Sequence, residues 1–264
     1  MHEKLSNSPI TYVLIQIRFT NIESIEKYVP ELQESIRQEF PFFKKITIQA
    51  IDLRDSQQPR VSVVNQWHFM DKDSVTGIIL DGASVSIHTS KYDDFVKLQN
   101  QLERVLVEFN KILKISLYVR LGLRYINLVK SHLDIYVQPE LLGFHLQKES
   151  QFEKKNFLVK TELTQESKSG VIKVKSAHIG DKKITSIGQN LFVPVDVANT
   201  VHYLSFDHHE KPTNEFLLLD IDHFDAKSGK FDVKEIIKNL TKLQDAIYSA
   251  FCSAVTPKAL EDWK

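Results

Sequence analysis

Cysteine is nearly absent from this 264-residue chain, with Cys252 standing alone. A disulfide framework within the chain is therefore excluded. Cys252 lies in an apolar stretch that reads as helix, where a buried, inert thiol is expected. An excess of either charge is also missing, since Lys+Arg and Asp+Glu both number 34. Dedicated duplex-DNA binders carry a basic surplus that neutralises phosphates. Neutrality argues against that class, although a local basic face can hide in a neutral total. No apolar run approaches the ~18 residues needed to span a bilayer. The stretch Met1-His2-Glu3-Lys4-Leu5-Ser6-Asn7 holds no apolar core of a signal peptide. A cytoplasmic protein without a membrane partner is the expectation. No G-x-S-x-G, Walker or G-x-G-x-x-G motif occurs. No catalytic residue and no cofactor are assigned, and the reading leans away from an enzyme.

What remains is an ordinary globular composition, 42% hydrophobic and 26% charged. The length suits one large domain or two small ones. Residues 9 to 20 form a β-branched run. Thr20 and Glu23 then have capping-box spacing. Ile22, Ile25, Val29, Leu32, Ile36 and Phe40 recur with helical period. Pro30 either kinks this helix or stands in the first turn of its main part, and Pro41 closes it. Strands are expected near 44–54, 60–70, 75–81 and 83–89, with Asp81-Gly82 as a hairpin turn. A helix follows, with Ser90 and Asp93 at N-cap spacing. Tyr92, Phe95, Leu98, Leu102, Val105, Phe109 and Ile112 make its apolar stripe.

The second half repeats this order less clearly. A strand is expected over 116–129 and a short helix over Pro139–Leu146. Further strands are expected near 152–165, 170–178, 200–207 and 214–224, and a final helix over about 232–254. Residues 179–199 read as a long irregular insertion. The expected fold is α+β: two β-α-β4-α units of the TATA-binding-protein-like or helix-grip kind, with curved antiparallel sheets and long packed helices. The first unit spans 1–114 and the second 115–264. That inference is one of architecture and carries no function by itself.

Arg120-Leu121-Gly122-Leu123-Arg124-Tyr125-Ile126-Asn127 is the most distinctive segment. Strand alternation puts Arg120, Gly122 and Arg124 on one face, with the arginines ~13 Å apart at ~3.3 Å per residue. Gly122 leaves room there for a ligand or a neighbouring backbone. Two guanidinium groups so placed need partners. One solution is an anion clamp for phosphate or carboxylate, with Tyr125 and Asn127 orienting the ligand. The other is a cross-strand ladder to Asp220 and Asp222, which also share a face. Asp220, Asp222, His223 and His208 are further candidates as metal ligands, because carboxylates with histidines suit Zn, Mn or Fe, but their spacing matches no established metal motif.

Basic residues interleave with aromatics at Phe40-Pro41-Phe42-Phe43-Lys44-Lys45 and at Phe152-Glu153-Lys154-Lys155-Asn156-Phe157. Such runs can stack bases and contact phosphates, but element ends with solvated lysines look the same. Trp67 reads as core. Trp263 either packs back on the fold or meets a partner.

The segments Asn7-Ser8-Pro9-Ile10, Ile15-Gln16-Ile17-Arg18-Phe19, Trp67-His68-Phe69 and Arg120 to Asn127, closed by Phe251, Thr256 and Trp263, resemble a sporadically distributed family of uncharacterised prokaryotic proteins. The Arg-x-Gly-x-Arg-Tyr-x-Asn element is its specific part. The family often carries an acidic residue shortly after the opening Pro-Ile, where this chain has Thr11 and Tyr12. The resemblance implies no established activity. Its patchy distribution fits defence or toxin–antitoxin modules. The expectation is a non-enzymatic binding or interaction protein with a protein partner or a second copy of itself. A small-molecule or nucleotide binder using the Arg120/Arg124 face is the alternative. A metal-dependent hydrolase and a single-stranded nucleic-acid binder follow behind.

Overall fold

The computed structural model describes residues 5–52, 60–143, 157–180 and 215–264. Helices and strands are mixed, and the strands build a large antiparallel sheet. The first half runs β1 (Ile10–Phe19), a 3-10 turn (Ile25–Tyr28), α1 (Val29–Ile36), β2 (Phe42–Asp52), β3 (Arg60–Met70), β4 (Thr76–Asp81), β5 (Ser84–Thr89) and α2 (Phe95–Leu113). The second runs β6 (Leu117–Val129), α3 (Leu133–Tyr136), α4 (Pro139–Leu142), β7 (Leu158–Ser167), β8 (Gly170–Gly180), β9 (Glu215–Asp225), β10 (Gly229–Lys230), α5 (Val233–Ala254) and α6 (Pro257–Asp262). The expected strand at 200–207 and residues 181–199 of the insertion lie outside the described residues. α3, β10 and α6 were not anticipated from the sequence. No described helix is long and apolar enough to cross a membrane.

Local chemistry explains most boundaries. Pro30 stands in the first turn of α1, so a 3-10 turn and a separate helix replace one kinked helix. The Thr20/Glu23 capping box does not form there; the Glu23 carboxylate accepts from the Asn21 side-chain amide instead, at 2.9 Å. α2 is capped by Asp94, not by Ser90 or Asp93. Asp94 is extended, and its carboxylate accepts from the Lys97 N–H at 2.7 Å. The β4–β5 hairpin closes at Gly82-Ala83. There Asp81 accepts from the Ala83 N–H and from the Ser84 hydroxyl, both at 2.7 Å.

The chain divides into two compact units. The one holding Arg120 comprises Val13–Leu123 and Phe224–Leu243, and the one holding Arg124 comprises Met1–Tyr12, Arg124–His223 and Gln244–Lys264. In the Arg120 unit the strand order is β2-β3-β4-β5-β1-β6, with β10 also paired to β6. Directly opposed residues in antiparallel strands share a face. Val13, Ile15 and Ile17 of β1, Val85 and Ile87 of β5, Ile78 and Leu80 of β4, and Trp67 and Phe69 of β3 all fall on one face, and all are buried. The α2 stripe (Phe95, Leu98, Leu102, Val105, Leu106, Phe109, Leu113) packs there, as the Phe69–Phe109 ring contact at 6.5 Å shows. α5 joins the layer through the Gln99 amide, which donates to the Ile237 carbonyl and to Thr241 Oγ1.

In the Arg124 unit the order is β1-β6-β9-β8-β7. Ala177, Ile179 and Phe216 form a buried cluster with Leu128, Leu158 and Leu218 against it. Trp263 packs back on the fold: it is buried, with its ring 5.4 Å from Tyr136 and 6.1 Å from Phe251. Its carbonyl accepts from the Asn7 N–H. Cys252 is half-buried on α5, more accessible than the apolar stretch suggested.

Candidate functional site: a polar sheet face

The second face of the sheet in the Arg120 unit is polar. Successive pairings carry one row across it: Gln16 opposes Ser86, Ser86 opposes Ile79, Ile79 opposes His68, and His68 opposes Lys44. The adjoining rows bring Arg18 opposite Ser84 and Leu14 opposite His88. Arg120 joins the first row from β6, donating from Nη1 to Gln16 Oε1 at 3.0 Å. Its guanidinium lies 4.5 Å from the centre of the Phe224 ring, a cation–π distance.

Gly122 explains the pose. A Cβ built on it would meet Arg120 Nη1 at 2.9 Å and Cζ at 3.4 Å. The space left by the missing side chain is filled by the neighbouring guanidinium, not by a ligand or another backbone. Arg120 is thus held flat by its own strand, by Gln16 and by Phe224. Arg18 is exposed on the same face, while Ser84 and Ser86 are buried within it.

Two histidines complete the face. His68 Nε2 is 3.0 Å from Gln66 Oε1. Burial, and then the charge of Lys44, push His68 down to about 4. Burial, and then His68 itself, push His88 down to about 4. Both rings are neutral near pH 7 and act there through hydrogen bonds and shape, not charge. Gly77, opposite His88, has no room for a side chain: a Cβ would strike Met70 Sδ and meet His88 Nε2 at 2.8 Å.

Arg124 has a different setting within its own unit. Its Nε and Nη2 donate to Asp220 Oδ1 and Oδ2 at 2.8 and 2.7 Å. The side chains are only 16% and 4% exposed. Burial opposes the charge of Arg124. The hydrogen bonds to Asp220, with the negative charges of Asp220 and Asp222, outweigh it and raise the guanidinium above its ordinary value. This is one rung of the ladder that the sequence suggested.

Tyr125 and Asn127 are buried, and the Asn127 amide donates to the Leu219 carbonyl at 3.2 Å. His223 is buried with Nε2 2.8 Å from Ser167 Oγ. His208 lies outside the described residues. Among the described residues no three of His, Cys, Asp and Glu are grouped to hold a metal ion. Of the aromatic–basic runs, Phe40 is core, Phe43 packs on Phe69 at 5.3 Å, and Lys45 pairs with Glu26 at 2.6 Å. Residues 152–156 of the other run lie outside the described residues, and its Phe157 stacks edge-on against His178.

His178 was not singled out from the sequence. It is buried, with Nδ1 2.9 Å from the Leu142 carbonyl and Nε2 2.5 Å from Glu215 Oε1. Ser176, two residues earlier, donates to the Leu141 carbonyl at 3.4 Å. β8 thereby fastens α4 and the first residue of β9. Gln16, Arg18, Ser84, Ser86, His68 and His88 were missed as well. Alternation could have assigned each a face, but only the pairing register shows that they share one. No protein-family model matches this chain, and no curated protein matches it either.

Proposed function

We propose that this is a non-enzymatic binding protein that takes a small anion, a phosphate or a carboxylate, on the polar sheet face of the Arg120 unit. The observation that carries this reading is the pair Arg18 and Arg120 on one face. Arg18 is exposed, and Arg120 is already oriented by Gln16 and Phe224. A guanidinium held in place loses little freedom when it binds an anion. Ser86 lies opposite Gln16 on the same face, and the neutral histidines add no charge that would favour indiscriminate anion binding. Arg124 is paired with Asp220 inside its own unit and has a structural part in this reading.

The proposal extends to architecture and setting. The order β1, α1, four strands, α2, with β2-β3-β4-β5-β1 side by side, supports a β-α-β4-α unit of the TATA-binding-protein-like or helix-grip kind over 1–114. A second such unit over 115–264 is part of the same reading. The resemblance noted above adds a cytoplasmic prokaryotic assembly of the defence or toxin–antitoxin type as the setting.

Equilibrium titration with inorganic phosphate and with citrate tests the binding. Saturable binding that weakens about tenfold or more in Arg18→Ala and Arg120→Ala is expected, since a hydrogen bond to a charged group is worth ~1.5–3 kcal/mol. Unchanged affinity in both variants, or no binding by the wild-type protein, refutes it.

A further inference from the structure

We infer that β7 is a homodimer interface, at which two copies of the chain join edge to edge about a two-fold axis through Leu163. The inference is independent of the anion site. Among the described residues β7 is the last strand of its sheet, with β8 on one side and no strand on the other. It pairs with β8 over ten unbroken positions, from Leu158↔Ile179 to Ser167↔Gly170. Proteins blunt such edges with proline, bulges, short strands or charged side chains, and of these β7 carries only the charges. β7 has no proline and no break in register. It also presents Leu163, 54% exposed, in the middle of a polar, exposed run.

The sequence of the strand is complementary to itself. In an antiparallel pair centred on Leu163, each residue meets the one equally far on the other side. Lys160 then faces Glu166 of the second copy, and Glu166 faces its Lys160. Thr161 faces Gln165, Glu162 faces Thr164, and the two Leu163 side chains meet on the axis. Neither Lys160 nor Glu166 makes an ion pair among the described residues, whereas Glu162 is engaged by Lys175 at 3.3 Å. The charges left over on β7 are therefore the ones that the two-fold register pairs.

The backbone agrees. Lys168-Ser169 makes a two-residue turn, so Ser167↔Gly170 is a hydrogen-bonded pair and such pairs alternate along the hairpin. Leu163↔Val174 is then also a hydrogen-bonded pair. The outward N–H and C=O groups belong to Lys160, Glu162, Thr164 and Glu166. These are the residues that must exchange hydrogen bonds across the proposed axis, roughly eight in all. Leu163 falls at a non-hydrogen-bonded pair, where opposed side chains approach most closely. A closed two-fold pairing uses up both edges and stops growth.

Sedimentation equilibrium on the full chain tests this. The wild type is expected to be dimeric. Lys160→Glu alone and Glu166→Lys alone each place two like-charge pairs in the interface, and each is expected to weaken the dimer at least tenfold. The double variant Lys160→Glu/Glu166→Lys is expected to restore it. Both substituted positions are exposed, and circular dichroism verifies that the fold is kept. A wild-type monomer at every concentration reached overturns the inference. So does a dimer indifferent to the single changes, which would mean that the copies meet elsewhere, and so does failure of the double variant to recover.

Discussion

Arg124 and Asp220 meet through two parallel hydrogen bonds, at 2.8 and 2.7 Å, with almost no solvent on either side chain. A buried pair of this kind is expensive to break from one side, because the remaining charge keeps its burial and loses its partner. Arg124→Ala and Asp220→Ala are each expected to lose about 3–5 kcal/mol in urea unfolding. Replacing both with apolar residues, Arg124→Met with Asp220→Leu, is expected to recover most of that loss. Single changes costing under about 1 kcal/mol would mean that the rung is not structural.

Gly122→Ala separates the site from the fold. The atoms that a Cβ would meet are the mobile end of Arg120, so the side chain can yield without moving backbone. Stability is expected to change by about 1 kcal/mol or less. Arg120 should leave the Phe224 ring, and phosphate affinity should fall with it. Full affinity in this variant would show that the pose over Gly122 does not matter for binding.

His68 and His88 set a pH dependence with a defined sign. Both are about 4 in the folded chain against 6.5 for a free imidazole. Between those values the unfolded chain binds protons that the folded one refuses. Stability is therefore fully present above about 6.5, falls as the pH drops toward 4, and levels off below. Urea midpoints across that window are expected to fall more steeply in the wild type than in His88→Gln. Equal slopes would contradict the buried neutral assignment.

Trp263 ties the end of the chain to the Arg124 unit through Tyr136, Phe251 and the Asn7 N–H. Trp263→Ala is expected to cost about 3–5 kcal/mol, measured by thermal or urea unfolding. A change within about 0.5 kcal/mol would return the residue to the role of a partner contact.

Local signals were legible where one segment carries the whole cause. Asp81-Gly82 announced its hairpin, and the Leu98-Leu102-Val105-Phe109 stripe announced α2. The Arg124–Asp220 rung was legible because both residues sit on alternating strands that element order makes neighbours. The cap of α2 falls one residue after Asp93, because spacing alone does not say that Asp94 is the residue whose carboxylate reaches the Lys97 N–H. The rest depends on register. Nothing local places His68 beside His88, 20 residues on in the chain, or Glu215 against His178. Arg18 looks like any strand arginine until its pairing with Ser84 puts it on the face of Arg120.

The most direct test of the anion site is the NMR signal of each arginine Nε–H as inorganic phosphate is added to the wild-type protein. Saturable shifts at Arg18 and Arg120, with Arg124 held unchanged by Asp220, are the predicted result. No saturable shift, or equal small shifts at every arginine, would contradict it.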